Sequence, residues 1–300
     1  MKKYIVAALV LMMSTWAMAE SRADKLLRNL TSNKNYVTVV SHRADWRNHP
    51  ENSIPGIQSS IDMGVDMIEI DVQRTKDGVL VLQHDQTVDR CTNGKGKISE
   101  LTYAEIQKLG LKPGHQAWTT RNHVPTLEEV LNLCKGKILI NIDKGYDYFQ
   151  QVYELMEKTG TTKQVIIKGG QKLQQVQAEN GDVLNRAIFM PIVNLNSKDA
   201  EKMIDDYLTI KPVAIECCIG KYNDEVERLL QKIRATDTKV WINSLWPSLC
   251  DGHDDDRAVE LKDIDGSWGW ILKEGATLIQ TDRPAELLQY LKKQKKHKLK

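Results

Sequence analysis

Short apolar segments alternate with amphipathic segments along most of this chain. Apolar residues return every three or four positions in the amphipathic segments, which is the period of a helix. Strands that alternate with helices predict βαβ units and a parallel sheet. The candidate strands are YVTVVSH, VDMIEIDV, VLVLQH, KILINID, QVIIKG, AIFMPIV, VAIECC, KVWIN and ATLIQT.

The second and third apolar runs lie too close together to be parallel. The segment QRTKDG separates them, whereas a parallel connection needs about a dozen residues. The pair therefore predicts an antiparallel hairpin in which Asp77-Gly78 forms a two-residue turn. In that register Asp71 lies directly opposite His84, and the two side chains share a face.

Without the return strand of the hairpin, eight candidate parallel strands remain. Eight βα units in about 260 residues predict a TIM (β/α)8 barrel with an extra antiparallel hairpin strand. A doubly wound open sheet is the alternative, but no glycine-rich dinucleotide fingerprint follows the first strand. Residues 86–124 are long and polar and are expected to form an insertion after the hairpin strand, while residues 244–268 form a second irregular segment.

The first residues resemble an export signal. Lys2 and Lys3 precede a short apolar run, and Ala17-Met18-Ala19 forms a small-x-small cleavage site. The apolar run is too short for a permanent span, although a retained anchor is the alternative. We therefore expect residues 1–19 to be removed and residues 20–300 to be a single periplasmic or secreted domain.

Charge narrows the range of partners. The formal net charge of +2 falls to 0 without residues 1–19, and it is near −6 without the six lysines of the basic tail at residues 291–300. Such a body is not a nucleic-acid binder. The tail is expected to be solvated and frayed, with contact to an anionic membrane surface as the alternative. Five irregularly spaced cysteines do not predict a disulfide framework.

Three carboxylates are expected at the same rim of the barrel. TIM-barrel sites lie at the C-terminal ends of the strands. Glu69 and Asp71 are two residues apart on one strand, so both point to one face, and Asp143 ends a later strand. Solvated strand-end acids are the alternative, but a bound cation would relieve the repulsion between them. Three acidic oxygens suit Mg²⁺ or Ca²⁺ better than zinc.

Basic side chains accompany these acids. His42 and Arg43 end the first strand, His84 is placed beside the carboxylates by the hairpin register, and Lys144 and Lys168 follow at later strand ends. Cations neutralise the non-bridging oxygens of a phosphate, and two histidines can move protons to and from the bridging ones. The set therefore predicts cleavage of a phosphodiester.

The motifs that carry these residues resemble the glycerophosphodiester phosphodiesterase family. They are His42-Arg43-Ala44, Pro50-Glu51-Asn52, Glu69-Ile70-Asp71-Val72, Thr75-Lys76-Asp77-Gly78, His84-Asp85, DRCTNGKG, PTLEEVL and the ending GATLIQTDRPAELLQYL. The resemblance implies a TIM barrel, His42 and His84 as the acid–base pair, Arg43 on the phosphate, and Glu69, Asp71 and Asp143 on a divalent metal ion. The lysine that the family usually carries two residues after the third acid is Gly145 here, and the family glycine after His-Arg is Ala44.

Further residues are predicted around the substrate. Glu51 is expected to orient one of the cations and Asn52 to hold the loop or reach the phosphate, although a helix cap before SIPGIQSSI is an equal alternative. Trp241 is expected to bind substrate. With three later tryptophans it could instead form an apolar rim for membrane binding, or line the pocket or core.

The predicted reaction is hydrolysis of a small-molecule glycerophosphodiester to glycerol phosphate and an alcohol. One alternative is a related phospholipase or lyase acting on intact lipid through the tryptophan rim. Another is a secreted phosphodiester-binding protein with weak catalysis, because Gly145 replaces the family lysine. His42 is favoured as the base, and the attacking oxygen is either water or the neighbouring glycerol hydroxyl.

Overall fold

A computed structural model describes residues 20–33, 35–114 and 116–299. The predicted signal at residues 1–19 lies outside the described residues. In chain order the strands are β1 (Thr38–Ser41), β2 (Met67–Arg74), β3 (Leu80–Leu82), β4 (Leu139–Asp143), β5 (Val165–Gly169), β6 (Ile188–Asn194), β7 (Ala214–Cys218), β8 (Lys239–Asn243) and β9 (Ala276–Thr281).

Eight of these strands close into a parallel barrel. Their order is β1-β9-β8-β7-β6-β5-β4-β2, and β2 returns to β1 with Val40 opposite Met67. Strand β3 pairs antiparallel with β2 and lies outside the ring. This arrangement confirms the predicted TIM barrel with one extra strand.

Most helices follow barrel strands and cover their outer faces, apart from the helix before β1 and the one within residues 86–124. The helices are α1 (Arg22–Ser32), α2 (Ile54–Met63), α3 (Tyr103–Ile106), α4 (Leu127–Cys134), α5 (Phe149–Thr159), α6 (Leu173–Asn180), α7 (Ala200–Leu208), α8 (Asp224–Arg234), α9 (Pro247–Cys250), α10 (Asp255–Val259), α11 (Trp270–Lys273) and α12 (Pro284–Lys293). Their apolar faces and the outward strand residues form one large core. Within the described ranges, no helix is both long enough and apolar enough to span a membrane.

The interior of the barrel contains one apolar layer to which every barrel strand contributes. Helix α1 begins with a capping box, in which Ser21 and Asp24 satisfy each other's backbone groups. It then places Leu26 and Leu30, four residues apart, against this layer at the N-terminal end of the barrel. The layer consists of Val40, Met67, Leu139, Ile166, Met190, Ala214, Trp241 and Leu278.

The hairpin register differs from the prediction by one residue. Val72 pairs with Leu82 and Arg74 with Leu80, so the turn contains three residues, Lys76 to Gly78, rather than two. Gly78 adopts a left-handed conformation with φ 86°, as expected for the last residue of a three-residue hairpin loop. The predicted pairing of Asp71 with His84 is therefore wrong, because Gln83 donates its backbone N–H to Asp71 instead.

Residues 86–124 pack around their own small apolar cluster. Val88, Ile98, Ile106, Leu111 and Val124 bury one another beside β3. The segment contains a 3₁₀ turn (Ile98–Glu100) and α3. This cluster holds the segment as an ordered lobe at the edge of the site.

The basic tail was predicted to be frayed, but much of it packs against the barrel. The backbone N–H of Val37 donates to the carbonyl of Lys296 (2.9 Å). The ring of His297 stacks on Tyr36 at 4.9 Å between centroids, and its side chain is 7% exposed. The tail therefore packs as far as residue 297 against the segment before β1, which is the N-terminal end of the barrel.

Candidate active site

A polar layer lies directly above the apolar interior layer. Side chains two residues apart on a strand share a face, so the residue two positions after each interior residue also points into the barrel. Most of these positions are polar and buried. They are His42, Glu69, Asn141, Lys168, Glu216, Asn243 and Gln280.

Three carboxylates meet in this layer and at its rim. Oxygen atoms of Glu69, Asp71 and Asp143 lie within 4.8 Å of one another, because β2 and β4 are paired with Asp71 opposite Asp143. Burial and the neighbouring Asp71 raise the pKa of Glu69 to about 7. Burial also disfavours charge on Asp71, but Lys144, His84 and Arg43 outweigh it and lower its pKa to about 2.

The donor set fits a hard divalent cation. The three acids offer oxygen ligands, as Mg²⁺ and Ca²⁺ require. Asn141 adds a further buried oxygen in the same layer, and its Oδ1 accepts no hydrogen bond from the described residues. Two acids that share such a site repel each other, and this repulsion adds to burial in raising the pKa of Glu69.

The loop after β1 carries Arg43 into the site by unusual backbone geometry. Arg43, Ala44 and Asn52 have φ values of 49°, 62° and 54°, in the left-handed region. Such a conformation costs roughly 1–2 kcal/mol for a non-glycine residue. The Arg43 N–H donates to Glu69 Oε2 (3.0 Å). Asn52 is locked to β2, because its amide donates to Asp71 Oδ2 (2.9 Å) while its Oδ1 accepts the Asp71 N–H (3.1 Å).

Glu51 holds two arginines. Arg43 approaches it at 3.3 and 3.4 Å, and Arg90 forms a bidentate pair with it at 2.6 and 2.8 Å. Burial opposes ionisation of Glu51, but the two arginines lower its pKa below the usual value. The helix cap that the sequence allowed as an alternative is supplied by Ser53, whose Oγ accepts the N–H of Gly56.

His42 is oriented by an aspartate from the far end of the chain. Its Nδ1–H donates to Asp282 Oδ1 (2.7 Å), and the Trp46 indole N–H donates to the same oxygen. Burial disfavours the imidazolium, yet the bond to Asp282 and the charges of Glu69 and Asp282 raise the pKa of His42 above its usual value. The Trp246 ring packs edge-to-face with the His42 ring, and the two ring centroids are 5.9 Å apart.

His84 lies past the end of β3, so the strand register does not decide its direction. Its Nδ1–H donates to Asp85 Oδ1 (2.7 Å), and its side chain is 37% exposed. Arg90 holds Asp85 through two bonds of 2.8 and 3.0 Å. The charge of His84 contributes to the lowered pKa of Asp71, so the structure brings His84 to the carboxylates by a route other than the predicted one.

Lys144 reaches across the site. Its Nζ donates to Asp71 Oδ1 (2.9 Å) and to the carbonyl of His84 (2.6 Å). The next residue must stay small, because a Cβ on Gly145 would lie 2.7 Å from Ile142 Cγ2. A lysine at Gly145 would therefore require Ile142 or the backbone to move, whereas Lys144, one position earlier, points into the site.

Lys168 and Trp241 lie beneath the opening. Lys168 is 3% exposed, and its Nζ is 3.2 Å from Glu216, 3.3 Å from Asp143 and 3.8 Å from Glu69. The Trp241 ring is fully buried in the apolar layer, 6.0 Å below that ammonium group. The sequence predicted that Trp241 contacts the substrate directly. In the structure the ring is instead buried beneath Lys168.

Three residues of the site were not singled out from the sequence. Arg90 and Asp282 occur in the motifs DRCTNGKG and TDRP, but sequence alone does not show that they hold Glu51 and His42. Glu216 precedes the paired cysteines of β7, and Asn243 donates to it at 2.8 Å. Glu216 is a charged residue two positions after the interior residue Ala214, and this spacing is the signal that could have identified it.

Known proteins resemble this chain over part of its length. A glycerophosphodiester phosphodiesterase of Caldanaerobacter subterraneus is 47% identical over 108 residues, which are 35% of this chain and 44% of that protein. Mouse glycerophosphodiester phosphodiesterase 1 is 36% identical over 103 residues, 33% of this chain and 30% of that protein. The chain therefore spans less than half the length of these curated relatives. A family described as a domain of unknown function, DUF4996, matches residues 189–291.

Solved structures extend the similarity to the whole barrel. A glycerophosphoryl diester phosphodiesterase from Parabacteroides distasonis aligns with a TM-score of 0.72 and 25% identity, over 91% of this chain and 92% of that one. A phosphodiesterase from Oleispira antarctica, solved in complex with the product sn-glycerol-3-phosphate, aligns with a TM-score of 0.65 over 85% of this chain and 96% of that one; at 16% identity it supports the fold. These relatives confirm the family resemblance seen in the motifs.

Proposed function

We propose that this chain hydrolyses glycerophosphodiesters to glycerol phosphate and an alcohol, with His42 and His84 as the acid–base pair. The observation that carries the proposal is the matched environment of the two imidazoles. Each has its Nδ1 bound to a carboxylate, Asp282 or Asp85, and each acts electrostatically on one member of the carboxylate cluster.

The hydrogen bonds at Nδ1 determine which atom of each imidazole moves a proton. A neutral histidine that donates from Nδ1 has its lone pair on Nε2. His42 acts as the base, because Asp282 and Glu69 stabilise the imidazolium that forms when Nε2 takes a proton from the attacking oxygen. His84, which is more exposed, must start as the imidazolium, whose charge helps to lower the pKa of Asp71. It then gives the proton on its Nε2 to the leaving alcohol.

The phosphate is bound by Arg43 and Lys144. The Arg43 guanidinium is oriented by Glu51, and its buried Nε makes no hydrogen bond with the described residues. A planar guanidinium suits two phosphate oxygens. Lys144 is 29% exposed and supplies the point charge that the family lysine supplies elsewhere. Asn52 fixes the loop after β1 by its two hydrogen bonds to Asp71. The charge of Lys168 balances the nearby carboxylates.

A divalent ion, Mg²⁺ or Ca²⁺, would be held by Glu69, Asp71 and Asp143. When bound it supplies positive charge to the non-bridging phosphate oxygens and lowers the barrier to attack. Metal binding would lower the raised pKa of Glu69, because ligand carboxylates must be deprotonated.

The test is product release by purified residues 20–300. Glycerophosphocholine and glycerophosphoethanolamine are incubated with and without EDTA, and glycerol phosphate is measured. We expect release that EDTA abolishes and Mg²⁺ or Ca²⁺ restores. His42→Ala and His84→Ala should each lose at least roughly 100-fold in kcat. His123→Ala, at an exposed position of the lobe, is the matched control and should keep full activity. Activity of both site variants equal to that of the control would contradict the assignment.

Neither rival function is favoured. A lipid-cleaving enzyme needs an apolar rim. Of the four tryptophans predicted for it, Trp241 and Trp268 are buried, Trp270 stacks on His253, and Trp246 is 42% exposed. A protein that binds without catalysis would not need both imidazoles bound to carboxylates. A transient cyclic phosphate in the product mixture would identify the glycerol hydroxyl as the attacking group.

We further propose export and a peripheral membrane contact. The pattern of residues 1–19 supports a cleaved signal, so the mature protein would act in the periplasm or outside the cell. Exposed lysines of the tail, Lys292, Lys293, Lys295, Lys296 and Lys298, would attract anionic lipid by about 1 kcal/mol each. Cell fractionation, and sedimentation with anionic vesicles at low and high salt, test the two statements separately.

A further inference from the structure

A buried aspartate lies directly behind the carboxylate that orients His42. Asp255 is the first residue of α10 and is 2% exposed, and its carboxylate accepts hydrogen bonds from four donor groups. Its oxygens bind Ser244 Oγ (2.6 Å), Trp268 Nε1 (2.9 Å), Thr281 Oγ1 (2.9 Å) and the backbone N–H of Asp282 (2.7 Å). This carboxylate belongs to the irregular segment after β8 and touches neither the metal ligands nor the opening.

Asp282 and Trp246, which both contact His42, are held in place by hydrogen bonds of Asp255. Asp255 fixes the backbone of Asp282, whose side chain binds His42 Nδ1 (2.7 Å). The backbone N–H of Asp255 also donates to the carbonyl of Ser244 (2.6 Å). Ser244 begins the loop that carries Trp246 to the edge of the His42 ring. One side chain thus joins the end of β9 to the loop that follows β8.

We propose that Asp255 is a positioning residue for His42, which holds Asp282 and the Trp246 loop in place so that Nε2 faces the substrate. The proposal rests on the function proposed above. It assigns Asp255 no contact with substrate and no proton transfer.

The placement of Asp255 is hard to explain by packing alone. A buried carboxylate is less favourable than an apolar residue of similar size unless its hydrogen bonds are needed. Burial raises the pKa of Asp255 to about 7, against the effect of the surrounding donors. Groups that orient the partner of a functional imidazole are typical of such buried polar networks.

The test compares Asp255→Asn with a control of similar stability, in residues 20–300. Leu229→Ala removes a buried side chain of α8 on the outer side of the barrel and should lower stability without touching His42. Two readouts are used: kcat and KM with glycerophosphocholine, and the ¹⁵N chemical shifts of the His42 imidazole. The shifts report the tautomer and need no turnover, so a failure of the proposed function is distinguishable from a failure of this proposal.

We expect Asp255→Asn to lower kcat roughly 10- to 100-fold with little change in KM, and to weaken the preference of His42 for a proton on Nδ1. Leu229→Ala should keep the parent tautomer and kcat. A parent-like tautomer in Asp255→Asn, with no greater loss of kcat than in Leu229→Ala, would overturn the proposal. If Asp255→Asn does not fold, Thr281→Val decides: it removes one donor to Asp255 and should shift the tautomer in the same direction, and an unchanged tautomer would overturn the proposal.

Discussion

Replacement of Lys168 by methionine should destabilise the protein in a way that depends on pH. The Lys168 Nζ lies 3.2–3.8 Å from Glu216, Asp143 and Glu69, and the side chain is 3% exposed. Removal of one partner from a buried ion pair typically costs about 3–5 kcal/mol. Methionine keeps the unbranched apolar stem and lacks the terminal ammonium group, so the change mainly removes the charge.

The dependence on pH follows from Glu69. Burial and Asp71 raise its pKa to about 7, and Lys168 opposes that rise. Because the folded pKa lies above the unfolded one, the folded state binds more protons between them, and stability falls as pH rises through this window. Without Lys168 the folded pKa moves higher, so the window extends upward. Each unit of that rise adds about 1.4 kcal/mol of destabilisation at pH values above it.

The measurement is the free energy of unfolding in urea at pH 5, 6, 7 and 8, with and without Mg²⁺ or Ca²⁺. We expect Lys168→Met to lose about 3–5 kcal/mol at pH 8, and less at pH 5, where Glu69 is protonated in both proteins. A divalent ion should recover part of the loss, since it binds the folded state. Lys172→Met, at an exposed pair with Asp199, is the matched control and should change little. Equal losses by Lys168→Met at pH 5 and pH 8 would refute the reasoning.

Three further changes probe the same site. Asp282→Asn should lower kcat roughly 10- to 100-fold at little cost in KM, because His42 loses the carboxylate at Nδ1; steady-state kinetics test this, and an unchanged kcat would count against it. Gly145→Ala should cost about 1–3 kcal/mol in urea unfolding, since its Cβ meets Ile142 at 2.7 Å; Gly170→Ala, with open space around it, is the control, and equal stability of the two would contradict the close contact. Arg90→Lys should raise KM several-fold, because a lysine cannot replace the bidentate contact that braces Glu51; a parent-like KM would show that this contact does not position the phosphate-binding arginine.

Local patterns in the sequence were sufficient for the barrel and its carboxylates. The alternation of strands and helices and the period of two along β2 placed Glu69 and Asp71 on one face. The hairpin register was not accessible in the same way. Asp77-Gly78 is typical of a two-residue turn, but the Thr75 hydroxyl binds Asp77 (2.6 Å) and accepts the Val79 N–H (2.9 Å), which closes a three-residue loop.

The contacts that orient His42 and brace Glu51 are long-range, and this is why the sequence did not reveal them. His42 meets Asp282 across 240 positions, and Glu51 meets Arg90 across 39. No local period links such residues. Each carboxylate alone could equally be a solvated charge, and closure of the barrel, which brings β9 beside β1, decides otherwise.

The packed tail and the catalytic opening lie at opposite ends of the barrel. Lys296 and His297 are fastened beside the residues that precede β1, whereas His42 and the carboxylates follow the strand ends. A surface that attracted the tail lysines would therefore orient the molecule with its mouth toward the surrounding solution. Such a molecule would meet the soluble phosphodiester proposed above from the solution side, and could exchange reactant for product without leaving the surface.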